Sequence, residues 1–298
     1  MQRTNEYTSI FPYSRQVPFS VYERKASHMQ ITCNTIDSIL LRYLERRLPP
    51  DEQTQVKTHL DSCQQCWGTW NRFRWDRARG TRGYAELQEY LGNDFQEYLD
   101  SSWELARDWD RRNPQTPAEV EAFYRETPYY LYNLIIWQES GNRPPYITYA
   151  EPFLLIYGCH TVCDFGCGIG TDGLLLLEKG YKVIFCEFDN PASRFLRWRL
   201  QQRNLEARFV EPHEIASITG VDTLWAMDVL DHLSNPQAAL HPLLHQVHTF
   251  FYEPDIRGKS HGRQRFHLHH EEASLRRVFE GYGLQRDSSS QQLSLWHK

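Results

Sequence analysis

Apolar residues at Ile36, Ile39, Leu40, Tyr43, Leu44 and Leu48 recur at helical spacing, with Arg42, Glu45, Arg46 and Arg47 opposite them, so this stretch reads as an amphipathic helix. Pro49 and Pro50 stop it. Asp51 and Glu52 suit the first turn of a second helix running through Val56 and Leu60 toward Cys63. From Tyr84 to Tyr146 the chain stays helical and aromatic, with helices predicted over Ala85–Leu91, Phe95–Trp109, Val120–Tyr124 and Pro128–Glu139. Thr116-Pro117-Ala-Glu119 forms a capping box with proline at the first helical position, and Gly141 ends the last of these helices.

The period then changes. Short β-branched and aromatic runs at Thr161–Asp164, 182–187, 207–210, 223–227, 249–252 and 293–296 read as strands. Helical stretches at 172–180, 191–203, 236–248 and 271–281 separate them, an alternation that predicts an α/β domain with a parallel sheet covered on both faces. Residues 1–28 carry scattered aromatics, Pro12 and Pro18 and no sustained period, so they read as an N-terminal arm. The organisation predicted is an arm (1–28), a two-helix module (29–80), a helical cap over the substrate region (81–146) and the α/β domain (147–298).

Composition narrows the class. With 298 residues and a net charge of -5 the chain is not built as a whole to coat nucleic acid or a membrane surface. The apolar run from Tyr129 to Trp137 is too short to span a bilayer, and the start MQRTNEYTSI lacks the apolar core of a signal peptide, so a cytoplasmic location is expected.

Seven cysteines fall in two groups. Cys159, Cys163, Cys167 and Cys186 surround a glycine-rich turn and read as small apolar fillers. Cys33, Cys63 and Cys66 lie in the first quarter, with His59 one turn before Cys63, and together they supply the four nitrogen and sulfur ligands of a closed tetrahedral zinc site. The alternative is an ordinary helical hairpin capped by these side chains. The His-x3-Cys-x2-Cys cluster, the upstream cysteine and the intervening Tyr43-Leu44 and Leu48-Pro-Pro-Asp-Glu52 resemble the zinc-binding domain of anti-sigma factors. A hairpin with so few apolar residues needs a staple, and bound zinc contributes on the order of 10 kcal/mol.

The stretch Thr161-Val-Cys-Asp164-Phe-Gly166-Cys-Gly168-Ile-Gly170-Thr171 ends a strand in an acid and opens a helix through alternating glycines, where a ligand can lie against bare backbone. Gly168-Ile-Gly170-Thr-Asp-Gly173 also satisfies GxGxxG, the pattern of nicotinamide and flavin enzymes. The ordered set of Asp164 before the glycines, Glu187 ending the second strand and Asp228-Val-Leu-Asp-His-Leu233 after the fourth resembles class I S-adenosylmethionine-dependent methyltransferases instead. That resemblance implies a Rossmann-like, mostly parallel seven-stranded sheet with helices on both faces. It also implies a cofactor-binding set of Asp164, Phe165, Gly166, Cys167, Gly168, Gly170, Glu187, Phe188, His213, Asp228 and Val229. Within it Asp164 would face the methionine amino group, Glu187 both ribose hydroxyls, Phe188 the adenine, and Asp228 and Val229 the sulfonium. The chain departs from the family's pattern after the third strand, where Val210-Glu-Pro-His213-Glu214 puts His213 in a slot usually held by an acid, with Glu214 as the alternative. It also lacks an Asn-Pro-Pro-Tyr signature after the fourth strand, which lowers the case for amine acceptors on bases or for glutamine amides.

His232 sits where a general base could reach the transferred methyl, the alternative being a packing role at the strand end. Tyr129, Tyr130, Tyr132 and Trp137 are candidates to line the acceptor pocket, with simple core packing the alternative. His241, His245 and His248 share a helical face, and His267, His269, His270, Glu271 and Glu272 cluster later. Both groups read as solvated or, for His267, as part of the substrate side of the pocket, and no second metal is expected. The function expected is methyl transfer to an acceptor, a small molecule by preference. One alternative is a regulator whose zinc module binds a sigma factor or another protein while the fold senses cofactor. Another is an RNA methyltransferase using the arginines interleaved with Trp67, Trp70, Phe73 and Trp75 up to Arg82; the blander reading packs those aromatics inward and leaves the arginines solvated or paired.

Overall fold

A computed structural model describes residues 31–253, 263, 265–289 and 293–298. The expected arm lies outside the described residues, as does most of the loop after Tyr252. The first helices are α1 (Ile36–Leu44), α2 (Pro50–Ser62), α3 (Gln64–Ala78), α4 (Arg82–Leu91), α5 (Ser101–Arg112), α6 (Pro117–Glu126), α7 (Tyr129–Glu139) and α8 (Tyr146–Ile156). There follow β1 (Thr161–Phe165), α9 (Thr171–Glu178), β2 (Lys182–Cys186), α10 (Pro191–Gln202), β3 (Arg208–Val210), β4 (Thr223–Ala226), α11 (Pro236–Leu244), β5 (Thr249–Tyr252), α12 (Glu272–Gly281), β6 (Gln285–Asp287) and β7 (Ser294–His297).

The strands form one seven-stranded sheet in the order β3-β2-β1-β4-β5-β7-β6. β1 to β5 are parallel, while β7 runs antiparallel to both β5 and β6. Alternation along each strand sends Cys163, Phe165, Ile184, Cys186, Leu224, Ala226 and Phe250 to the layer of α11 and α12, where Leu240, Leu244 and Phe279 meet them. Val162, Val183, Phe185, Trp225, Phe251 and Leu295 face the opposite layer of α8, α9 and α10, against Leu154, Leu174 and Leu196. The expected two-faced sheet is therefore present. Cys159, Cys163, Cys167 and Cys186 are all buried within these layers, as fillers should be. Because the chain leaves β1 toward β2 on one side and returns to β4 on the other, the order reverses between β1 and β4, and a crevice opens at their carboxyl ends.

The helical region is fastened over this crevice. Trp75, Tyr84, Leu87, Leu131, Tyr132 and Ile135 pack with Ile169 and Phe195, so α3, α4 and α7 rest on the glycine turn and α10. Buried Arg199 donates to Glu86 of α4 at 2.7 Å and to the Ile169 carbonyl at 2.8 Å, which ties the turn to the helical region. Arg203 adds two more donors to Glu86, at 2.8 and 2.9 Å.

Three helical stretches differ from the pattern read in the sequence, one of them α8, which that pattern did not mark. The run Phe95–Trp109 is not one helix: Tyr98 takes a left-handed conformation (φ 62°), and α5 starts only after Asp100, whose carboxylate caps the Trp103 amide and accepts Trp67 Nε1 at 2.8 Å. The zinc module holds a third helix, since α2 stops at Ser62, Cys63 is extended, and α3 begins directly after it. The capping box at Thr116 and Glu119 forms as expected and starts α6.

Candidate functional site

Four side chains from three places in the zinc module converge. Cys33 Sγ lies 3.7 Å from Cys63 Sγ and 3.8 Å from His59 Nε2, and His59 Nε2 lies 3.2 Å from Cys66 Sγ. A tetrahedral zinc with bonds of about 2.3 Å to sulfur and 2.0 Å to nitrogen separates its ligands by about 3.5 to 3.8 Å. The donors thus stand at the spacing zinc imposes, and none of the three thiols is in a disulfide. Such an ion would join the turn that precedes α1, the last turn of α2, the α2–α3 junction and the first turn of α3.

At the crevice, Asp164 is the penultimate residue of β1 and lies against the start of α9. A Cβ on Gly173 would stand 2.7 Å from its Oδ2 and 2.1 Å from the Phe185 ring, so only glycine lets the helix sit this low. Gly166 has a φ of 68°, and a Cβ there would meet Val229 Cγ2 at 2.2 Å, which brings the turn against the segment after β4. Glu187, after β2, accepts the Gly168 amide at 3.0 Å through one oxygen and the Phe188 amide and Asn190 Nδ2 through the other, at 2.9 and 3.3 Å.

These acids are held away from their ordinary ionisation. Burial, reinforced by Asp172 and Glu187, pushes the Asp164 carboxyl well above the usual range. Burial also raises Glu187, more than its amide hydrogen bonds lower it, and it pushes Asp228 up to about 7 against the pull of Arg143. Asp228 is strained as well, with a φ of 55°.

The groups that organise these acids escaped sequence reading. Arg143, between α7 and α8, forms a two-pronged pair with Asp172 at 2.7 and 2.6 Å and reaches Asp228 at 3.4 Å. Trp225 of β4 donates to Asp172 at 2.9 Å, and the Tyr146 hydroxyl contacts Asp228 and Glu253. The only hint available was an acid, Asp172, at the start of an otherwise apolar helix.

A cavity of about 780 Å³ runs from the glycine turn to the zinc module. Phe165, Gly166, Gly168, Glu187, Phe188, Asp228, Val229 and His232 line it, and so do Tyr43, Trp67, Trp70 and Arg74. Asp164 and Cys167 border a small adjoining hollow together with Gly166, Gly168 and Asp228. Gly170 lines neither and serves as the N-cap of α9. His213 is brought to neither: its side chain is 72% exposed, 3.6 Å from Glu211. Glu214 is engaged in capping the turn at Glu211. Glu211 itself binds Arg125 of α6 at 3.0 Å, and that guanidinium lies 4.2 Å over the Phe188 ring.

Of the tyrosines singled out, Tyr130 lines the cavity with Trp137, whereas Tyr132 belongs to the helical core and donates to the Asp94 carbonyl. Tyr129 packs beside Leu105 and Phe123. His232 is enclosed by Tyr124, Tyr130 and Phe266, with its Nδ1 at 2.9 Å from the Tyr124 hydroxyl, and burial lowers its pKa to about 3. Such an imidazole is neutral and weakly basic. His241 and His245 instead gather around Tyr282, both of them exposed.

Three of the arginines in residues 71–82 are engaged locally. Arg74 is buried against Trp67 and Trp70, Arg79 pairs with Glu97, and Arg82 with Glu86 and Glu178. No helix among the described residues is long and apolar enough to cross a membrane.

Residues 33–66 match a family described as "Putative zinc-finger". Over 73 residues the chain is 27% identical to glycine N-methyltransferase of Mus musculus and, equally, of Rattus norvegicus. The match covers 24% of this chain and 24% of each relative, so the chain aligns with about a quarter of the length of these curated relatives. Among solved structures it is similar to magnesium protoporphyrin IX methyltransferase from Synechocystis PCC 6803 with bound SAM, at 14% identity and a TM-score of 0.41, over 73% of this chain and 97% of that one. It is also similar to TehB from Haemophilus influenzae, at 15% identity and a TM-score of 0.40, over 55% and 66%.

Proposed function

We propose that the protein is an S-adenosylmethionine-dependent methyltransferase acting on a small molecule held in the cavity between the sheet and the zinc module. The observation that carries this reading is the set of three carboxyls, buried Asp164 and half-buried Glu187 and Asp228, at the carboxyl ends of adjacent parallel strands around a bare glycine turn. Burial is the largest cause of their raised pKa values, so their ionised forms gain from a cationic ligand, and this cofactor brings an ammonium and a sulfonium. When bound, it supplies an electrophilic methyl group.

The residues fit it in the following roles. Asp164, with the backbone of Gly166 and Gly168, receives the amino-acid end; Glu187 turns its carboxylate to the ribose hydroxyls; Phe188, backed by Arg125, takes the adenine face. Asp228 and Val229 border the reacting end. Alignment and exclusion of water account for roughly 7 to 11 kcal/mol in such displacements, which suits a cavity closed by α6 and α7. His232 stands on the acceptor side. Its low basicity means that the base role needs either an acidic acceptor or a group that lowers the acceptor's own pKa.

The zinc module has a place in the same reading. Tyr43, Trp67, Trp70 and Arg74 line the cavity that Glu187 and Asp228 also line, which supports a role as a wall of the acceptor pocket over one as a separate docking domain. The scattered pairing of Arg74, Arg79 and Arg82 does not favour RNA as acceptor. The test is to incubate the zinc-loaded protein and labelled S-adenosylmethionine with extracted cell metabolites. Label transfer to a small molecule, lost in Asp164→Ala, is expected. Transfer only to RNA or protein fractions, or none with intact cofactor binding, would sink the small-molecule reading.

A further inference from the structure

The acceptor end of the cavity brings Asp231, His232 and His267 into one cluster. Asp231 and His232 lie on a short 3₁₀ turn, Leu230–His232, directly after β4. His267 comes from the segment before α12. The two are locked together by backbone, since the Leu268 amide donates to the Asp231 carbonyl at 2.6 Å. Tyr124 of α6 adds a second tie by donating its hydroxyl proton to the Phe266 carbonyl at 3.0 Å.

The same hydroxyl meets His232 Nδ1 at 2.9 Å and the Tyr130 hydroxyl meets it at 3.4 Å, so the ring is held through its Nδ1 edge and Nε2 is turned toward Asp231. Ring orientation fixed through the far nitrogen is the usual arrangement of a metal-bound histidine. His232 Nε2 lies 3.7 Å from Asp231 Oδ1, and His267 Nε2 lies 3.9 Å from Asp231 Oδ2. The three ligand atoms all fall within 4.8 Å of one another. An ion at about 2.0 to 2.2 Å from each would set neighbouring ligands about 3.0 to 3.5 Å apart, so the carboxylate–imidazole spacings need to close by only about 0.5 Å.

From this geometry we propose that Asp231, His232 and His267 bind a divalent first-row transition cation at the acceptor end of the cavity, a second metal site distinct from the four-ligand site of the zinc module. Two imidazoles and one carboxylate favour manganese, iron, cobalt or zinc over magnesium or calcium, and the absence of thiolates separates this site from the first. All three residues line the cavity, so a three-ligand site leaves coordination positions facing the space where an acceptor would lie. An acceptor hydroxyl coordinated there loses its proton to solvent more readily as its oxygen bonds the ion, with no change of oxidation state. His232 is then a ligand and not the base. This consequence rests on the methyltransferase reading, but binding of the ion does not.

The test uses the full-length protein with its thiolate site saturated with zinc. Manganese(II) is titrated in and the free ion followed by electron paramagnetic resonance. One manganese per chain is expected beyond the zinc, with nitrogen couplings from imidazole in the electron spin echo of the bound ion. Asp231→Asn and His267→Ala should each weaken binding at least about tenfold, as loss of even indirect support for a metal ligand commonly does. His245→Ala, at an exposed histidine of the same protein, should bind as wild type. No manganese or cobalt bound at millimolar concentration, bound manganese without nitrogen coupling, or ligand variants indistinguishable from wild type would each overturn the proposal. The echo measurement needs no variant, so a misfolded mutant does not blunt the test. Manganese binding without cofactor binding would uphold this site while removing the methyltransferase reading, and the converse would do the opposite.

Discussion

Replacing Arg143 with methionine removes the one cation among the described residues that pairs with both Asp172 and Asp228. Its guanidinium is 8% exposed and the Asp172 carboxylate 5%, so this pair belongs to the buried regime. Burial alone would lower the Arg143 pKa, and the two aspartates more than reverse that shift. In Arg143→Met, Asp172 keeps its bond from Trp225 at 2.9 Å but loses both charged donors. Breaking a buried pair from one side costs about 3 to 5 kcal/mol. With an unfolding entropy of about 2.1 cal/mol/K per residue, that loss lowers the melting temperature of the 298-residue chain by about 5 to 8 °C. The Asp164 and Asp228 carboxyls should also protonate at still higher pH, since Arg143 is a lowering influence on both. Chemical denaturation of wild type, Arg143→Met and Arg143→Met/Asp172→Asn measures the pair. The double variant should recover at least about 1 kcal/mol, because its aspartate no longer carries an uncompensated charge. A single variant within about 1 kcal/mol of wild type, or a double variant no more stable than the single, refutes the reasoning.

Three further outcomes can be checked. Stripping zinc under reducing conditions, or changing Cys66→Ser, should lower the melting temperature and loosen α1 to α3; unchanged melting of zinc-free protein would contradict a structural role. The Asp228 carboxyl, raised from 3.8 to about 7, favours the protonated native state, so its contribution to apo stability is full below about pH 4 and lost as pH rises through 7. A cationic ligand prefers the ionised carboxyl, so S-adenosylmethionine affinity should climb with pH, at most about tenfold per unit, and level off above 7; a flat calorimetric profile from pH 5.5 to 8 counts against this. Gly166→Ala combines a left-handed backbone with a 2.2 Å contact to Val229, and its strain of about 1 to 3 kcal/mol should appear as weaker cofactor binding, partly restored by Val229→Ala.

What the sequence disclosed and what it hid divide along a physical line. The glycine turn, the acids beside it, the capping box at Thr116 and the four zinc ligands are local chemistry, legible because a turn, a cap or a ligand spacing restricts residue type within a few positions. β6 escaped because Gln285–Asp287 is short, polar and exposed on the sheet edge, with no alternation to read. α8 escaped because it is apolar almost throughout, with Pro152 inside it. Arg143 and His267 were invisible as partners for a different reason: each meets its acid only through the packing of separate elements, and nothing near either residue in sequence announces that meeting. His213 shows the converse, a slot read from strand order whose side chain turns to solvent because Glu211 and Glu214 are tied into the turn around it.

The central claim stands or falls on cofactor binding. Isothermal titration of the zinc-loaded protein with S-adenosylmethionine at pH 8 should give one site per chain, strongly weakened in Glu187→Ala and Asp164→Ala while both variants stay folded. The absence of a binding heat in wild type, or binding that both variants retain at full strength, would contradict it.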